Sequence, residues 1–155
     1  MLKPLGGAHK GKIRVFAYGS LKRGHPNNGL LTRGNAEFMG NDTITGPFRM
    51  VSMGGFPGVV YDERISGANT IFGELYSMEA PCLKALDWLE GYPRFYERTK
   101  FQTDLMDKKA WLYWLPYEWL DRKEKEGAVV TAGIWHPNTA EETIWRARGI
   151  EVKDL

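Results

Sequence analysis

The chain of 155 residues is 43% hydrophobic, 13% aromatic and 26% charged, the make-up of a folded domain rather than a disordered or fibrous segment. Its 21 basic and 19 acidic residues leave a formal charge of +2, too little for charge-driven binding to nucleic acid or to a membrane surface. Cys82 is the one cysteine, which excludes an intrachain disulfide and a cysteine-based zinc cluster; with no run near the roughly 20 apolar residues of a membrane helix, a reducing, cytoplasmic setting is expected.

Residues 1–12 (MLKPLGGAHKGK) show no periodicity and read as a flexible lead-in, leaving 13–155 as a single domain. The segment 13–18 (IRVFAY) alternates Ile13, Val15 and Ala17 against Arg14, Phe16 and Tyr18, and Gly19 ends it, so a first strand is expected there. Gly24, Pro26, Asn27, Asn28 and Gly29 make the next segment a loop, with Asn28 placed to cap a short helical turn through Leu30 and Leu31. Further strands are expected at 36–44, 48–53, 59–61, 71–77, 95–105 and 111–115. A helical period appears at 80–90 and again at 139–148, where Pro137 and Asn138 supply start signals. The mixed-charge run 121–126 reads as a solvated loop or helix face. Together these elements predict an α+β domain: a small, strongly curved or closed, mostly antiparallel sheet with helices at its sides.

Chemistry is sought first in the loop Gly19-Ser20-Leu21-Lys22-Arg23-Gly24. It fails as a phosphate loop, because it lacks the required order of Gly-Lys followed directly by Ser or Thr, and it fails the dinucleotide pattern because Gly19 and Gly24 have no third glycine at the required spacing. Ser20 also lacks the flanking glycines of a nucleophile elbow. His9, His25 and His136 show no helical zinc spacing and read as loop or surface histidines.

Glu90 is the unusual residue. Counting about 100° per residue from Leu83, Cys82, Leu86 and Leu89 fall at about 260°, 300° and 240°, and Glu90 at about 340°, inside the same apolar arc. Lys84 and Trp88 point the other way. A carboxylate in the last turn before Gly91 also opposes the helix dipole. Burial and dipole both disfavour ionisation, so an upward pKa shift is expected, which suits a general base near neutral pH. The alternative is a structural Glu paired with Arg94, with Arg98 or with backbone donors, and spacing does not separate the two.

Three motifs then stand in order: Tyr18-Gly19-Ser20-Leu21, Gly73-Glu74-Leu75-Tyr76, and Leu86-Asp87-Trp88-Leu89-Glu90-Gly91-Tyr92-Pro93-Arg94-Phe95-Tyr96-Glu97-Arg98. With Phe56-Pro57-Gly58 and Ala110-Trp111-Leu112-Tyr113, this set resembles the gamma-glutamyl cyclotransferase-like family over residues 15–115, and within it the gamma-glutamylamine cyclotransferase branch. The match fades beyond Pro116, leaving 116–155 poorly covered. The resemblance implies a small mixed barrel with flanking helices, no metal and no organic cofactor, and a small-molecule gamma-glutamyl amine as substrate, with no nucleic acid or membrane partner. It implies a reaction in which the substrate's own alpha-amine attacks its gamma-amide carbonyl, closing 5-oxoproline and releasing the amine. Glu90 would be the general acid/base. Tyr18, Gly19, Ser20 and Leu21 would form the substrate loop, Tyr96 and Tyr113 pocket walls, and Arg98 a wall-orienting or acid-pairing group. The competing expectation is a noncatalytic module of the same fold that binds a small amino acid or carboxylate. Oligomeric state is not specified by these residues.

Overall fold

The computed structural model describes residues 13–136; the expected lead-in at 1–12 and helix at 139–148 lie outside the described residues. Eight strands and three helices follow in the order β1 (Ile13–Ala17), α1 (Asn28–Arg33), β2 (Glu37–Gly46), β3 (Phe48–Ser52), β4 (Pro57–Tyr61), β5 (Asn69–Met78), α2 (Ala80–Glu90), β6 (Glu97–Gln102), β7 (Lys109–Trp114), α3 (Glu118–Lys125) and β8 (Val129–Val130). The architecture is α+β, as the alternation of short strands with few helical periods implied.

The strands form two sheets, β2-β5-β1-β7-β6 and β4-β3-β8. Every pairing within them is antiparallel except β1 with β7. Neither sheet closes on itself, but hydrogen bonds stitch the two along both seams. On one side Leu115 N donates to Val59 O (2.8 Å) and Tyr61 N to Leu115 O (3.2 Å); on the other Phe72 N donates to Gly133 O (2.9 Å). Gly133 adopts φ +69°, and a Cβ there would collide with the Thr70 carbonyl, so this approach of backbone to β5 requires glycine.

β1 is the strand that positions everything else, because both of its faces are buried. Val15 and Ala17 join the core beneath the helices with Met78, Leu83 and Leu86, whereas Phe16 and Tyr18 join a second core of residues drawn from both sheets, including Phe48, Val59, Leu75 and Leu112. At its C-terminal end the chain therefore emerges between two cores. The loop that follows is held by a turn closed by Lys22 N to Gly19 O (3.0 Å).

Helix α2 has the predicted bounds. Cys82, Leu83 and Leu86 are buried while Trp88 is 84% exposed, as the helical count required. Gly91 ends the helix at φ +63°, and its N–H and that of Tyr92 bond to Trp88 O and Asp87 O. The N-cap of helix α1 is Asn27 rather than Asn28. The Asn28 amide instead donates to Leu21 O (2.8 Å) and the Tyr76 hydroxyl (3.2 Å), because position 28 already lies in the first turn and faces the loop after β1. The charged run at 121–126 belongs mostly to α3, which sequence periodicity did not reveal: Trp119 and Leu120 alone in it are apolar, too few to mark a period.

The long strand expected at 95–105 is shorter. Residues 103–106 turn away to reach the buried Asp42 carboxylate, which accepts from the N–H groups of Thr43, Leu105 and Met106 (2.7, 2.8 and 3.1 Å). Burial by itself would raise its pKa, but the hydrogen bond of Thr103 and these backbone bonds together outweigh it and hold the pKa below the ordinary carboxylate value.

Candidate functional site

Where β1 ends, a cavity of about 340 Å³ opens between the loop after β1, the C-terminal end of α2, the β3–β4 loop and the start of β6. Seven of the eight site residues expected from sequence line it: Tyr18, Gly19, Ser20, Leu21, Glu90, Tyr96 and Tyr113. Arg98 does not. Its guanidinium grips the Asp87 carboxylate in a two-point pair (2.8 and 3.1 Å) and is stacked against Tyr92 and Trp111, each centroid 4.3 Å away.

That pairing bears on the two alternatives for Glu90. Arg98 is occupied by Asp87 and Arg94 is exposed, and among the described residues Glu90 accepts no hydrogen bond and makes no ion pair. Desolvation disfavours the charged form of a half-buried carboxyl without a cation or donor, and its pKa is pushed from 4.5 to about 7. At neutral pH it is poised between acid and base.

The three tyrosines around it have raised pKa values, with burial the leading cause for each and the nearby Glu90 carboxylate contributing, so they remain neutral. Their protons are already committed. Tyr18 Oη donates to Tyr113 O (2.8 Å) while accepting from Val59 N (3.2 Å), Tyr96 Oη donates to Pro57 O (2.6 Å), and Tyr113 Oη donates to Asp87 Oδ1 (2.7 Å). These bonds fix the positions of β1, β4, β6, β7 and α2 relative to one another around the cavity. The rings supply wall and shape.

Donors with capacity to spare lie in the loop after β1. The N–H groups of Gly19, Ser20 and Leu21 find no acceptor among the described residues. Ser20 Oγ accepts from Asn27 Nδ2 (2.9 Å), which leaves its own proton available. The loop is drawn close to the β3–β4 turn: a Cβ on Gly19 would sit 2.6 Å from Pro57 Cγ. Behind it, Arg23 N and the Tyr76 hydroxyl donate to buried Glu74 (2.8 and 3.0 Å), and Lys22 Nζ donates to Trp135 O (2.6 Å). The basic pair after Leu21 thus anchors the loop instead of facing the cavity.

Sequence reasoning missed Asn27, Phe56, Leu89 and Phe95 as lining residues. Phe56 and Phe95 were visible inside their motifs, but no periodicity or spacing brings the β3–β4 loop to the end of α2. Asn27 carried no signal beyond its turn propensity. Among the described residues, no three His, Cys, Asp or Glu side chains are placed to hold a metal, and no helix is long and apolar enough to cross a membrane.

Residues 15–137 match the family model described as Gamma-glutamyl cyclotransferase, AIG2-like. The chain is 38% identical over 107 residues to the "Putative gamma-glutamylcyclotransferase CG2811" of Drosophila melanogaster, covering 64% of this chain and 68% of the relative. It is 31% identical over 100 residues to the gamma-glutamylaminecyclotransferase of Homo sapiens, covering 62% and 65% respectively. Among solved structures, an AIG2-like protein from Mus musculus superposes with a TM-score of 0.59 at 28% identity, over 71% of this chain and 83% of that one.

Proposed function

Because the chain belongs to the gamma-glutamyl cyclotransferase, AIG2-like family, we propose that it converts a gamma-glutamyl amide to 5-oxoproline and a free amine, with Glu90 as the general acid/base and no cofactor. The observation that carries this reading is the unpaired, half-buried Glu90 carboxyl, with a pKa of about 7, sharing a cavity with unsatisfied backbone donors.

The chemistry needs little from the protein, because nucleophile and electrophile belong to one molecule and their proximity is built in. Glu90 as carboxylate accepts a proton from the alpha-ammonium, freeing the amine lone pair. The amine nitrogen bonds to the gamma-carbonyl carbon, whose pi electrons move onto oxygen. As the carbonyl re-forms, the bond to the leaving nitrogen breaks and protonated Glu90 gives its proton to that nitrogen, restoring the carboxylate; the ring nitrogen, cationic since the attack, passes its second proton to the released amine, which departs as an ammonium ion and leaves 5-oxoproline with a neutral ring nitrogen. A pKa near 7 suits both halves, since a carboxyl at its usual value would be too weak a base for the first and too rarely protonated for the second.

The loop N–H groups of Gly19, Ser20 and Leu21 and the Ser20 hydroxyl serve the two anionic groups in this scheme, the substrate carboxylate and the developing oxyanion. Tyr18, Tyr96 and Tyr113 hold the walls rigid, and Arg98 acts at one remove, fixing Asp87 one turn before Glu90. A cytoplasmic setting fits the composition.

The test is to incubate the purified protein with gamma-glutamyl amides and measure 5-oxoproline and amine release. Stoichiometric appearance of both supports the reading. Ligand-induced thermal stabilisation without turnover on any amide would refute it and leave a binding module of the same fold.

A further inference from the structure

The aromatic rings of the cavity form a graded wall. Tyr113 and Tyr96 are almost fully buried, whereas Phe95 is 36% and Phe56 40% exposed. Successive ring centroids lie 6.5, 5.0 and 6.4 Å apart from Tyr113 through Tyr96 and Phe95 to Phe56, each pair edge-on. Trp119 backs Phe95 at 5.7 Å. A continuous apolar surface therefore runs from the inner cavity to solvent, and its outer end leaves two phenylalanines uncovered, an arrangement that marks a surface awaiting a ligand.

Charge is sparse in the cavity. Among the described residues lining the cavity, none is Lys, Arg or His, and Glu90 is the one carboxylate. Arg122 touches this aromatic group only through Trp119, 4.7 Å from its centroid, and is not a lining residue; neither is the exposed Arg94.

Resting on the cyclotransferase reading, we propose that Phe56 and Phe95 bind the departing amine, and that this amine is an apolar alkyl or aryl amine in preference to an amino acid. The glutamyl head carries an ammonium and a carboxylate, whose partners are Glu90 and the loop N–H groups of residues 19–21. With the head so placed, the amide substituent lies against the outer, uncharged wall, where Phe56 and Phe95 stand with Pro57 and Leu89. A leaving group bearing its own carboxylate and ammonium, such as lysine joined through its side chain or an alpha-linked amino acid, would bring charges against rings with no counter-ion among the lining residues and lose their hydration. An alkyl chain loses nothing and removes apolar surface from water on both sides. Phe56 is well placed to adapt to chain length: Gly54, at φ +111°, and Gly55 precede it, and Met53 N closes the turn onto Phe56 O (2.8 Å).

The experiment measures kcat/KM for gamma-glutamyl conjugates of methylamine, n-butylamine, benzylamine, the lysine side-chain amine and alanine, using the full chain and its Phe56→Ala and Phe95→Ala variants. The expected series rises from methyl to butyl by up to roughly fourfold per methylene. The lysine and alanine conjugates fall at least about tenfold below butyl, and either substitution cuts the butyl-to-methyl ratio by about tenfold, chiefly through KM. If Phe95→Ala loses its fold, Phe56→Ala at the solvent rim carries the test alone. A flat chain-length series, an unchanged ratio in Phe56→Ala, or equal turnover of the charged conjugates overturns this proposal and leaves the cyclotransferase reading standing. Absence of 5-oxoproline from every conjugate overturns both.

Discussion

Replacing Glu90 with Gln keeps the shape of the side chain and removes its titration, so one variant reads both the proposed chemistry and its energetic cost. In the folded chain the carboxyl has its pKa at about 7, against 4.5 ordinarily. Between those values the native state holds a proton that the unfolded state has released, so stability falls as pH rises through this window and the loss is complete above about pH 7. At 1.36 kcal/mol per pH unit the full cost is about 3 kcal/mol. Glu90→Gln escapes it. Relative to wild type the variant is expected to gain up to about 3 kcal/mol between pH 4 and pH 9, a difference of several degrees in melting temperature for a chain of this size. Any fixed cost of seating the amide is the same at both pH values and cancels in the comparison. The assay is urea denaturation across pH 4 to 9, paired with 5-oxoproline release. Turnover should drop by about 10² or more in the variant, and wild-type kcat/KM should depend on a group titrating near 7. A stability difference that does not change with pH would refute the desolvated carboxyl, and an undiminished rate would remove Glu90 from the mechanism.

Other substitutions separate roles around it. Ser20→Ala removes a hydroxyl that accepts from Asn27 but leaves the loop amides, so activity should fall by no more than about tenfold; a loss equal to that of Glu90→Gln, measured in the same assay, would make the serine chemically essential. Arg98→Ala strips a two-point partner from Asp87, whose side chain is 21% exposed, and should cost about 1–3 kcal/mol in chemical denaturation. Turnover should fall with it and recover in part in Arg98→Lys, because the Asp87 turn sets where Glu90 stands. Gly19→Ala would place a methyl 2.6 Å from Pro57 Cγ and push the loop off the turn that receives the Tyr96 hydroxyl, so weaker binding of substrate analogues is expected by calorimetry. Asp42, whose pKa is lowered on folding, contributes stability that is complete above its ordinary 3.8 and is lost as pH falls through the lower folded value. Asp42→Asn should therefore be less stable than wild type at neutral pH and lack that acid limb in thermal melts from pH 2 to 5.

Local patterns were enough to mark much of this molecule. The alternation in residues 13–18 located β1, and the apolar arc from Cys82 to Leu89 located α2 to the residue, because strand and helix periods are properties of consecutive side chains. The same arc put Glu90 on the inner face, which is a local angular fact. Elements whose apolar content is too small to show a period were not legible: α3 rests on Trp119 and Leu120, and β8 is two residues long. The end of β6 was misjudged for a different reason. The expected strand ran to Leu105, but the backbone donors of Leu105 and Met106 are claimed by Asp42, more than 60 positions away in sequence, and that of Asp104 by the Thr43 carbonyl.

The division is sharpest at the cavity. From sequence alone came the composition of a folded domain, the α+β class, the ordered motifs and an inward carboxylate at the end of a helix. Tertiary structure decided who its neighbours are. Arg98 and Glu90 are equally available to each other on paper, and only the packing of β6 against α2 sends the guanidinium to Asp87, leaving Glu90 without a counter-charge and raising its pKa. Likewise the tyrosine protons, which composition would offer to a substrate, are spent on Pro57, Tyr113 and Asp87. A pKa or a free donor is set by what lies within a few ångströms, and those distances arise from long-range contacts that no local pattern encodes.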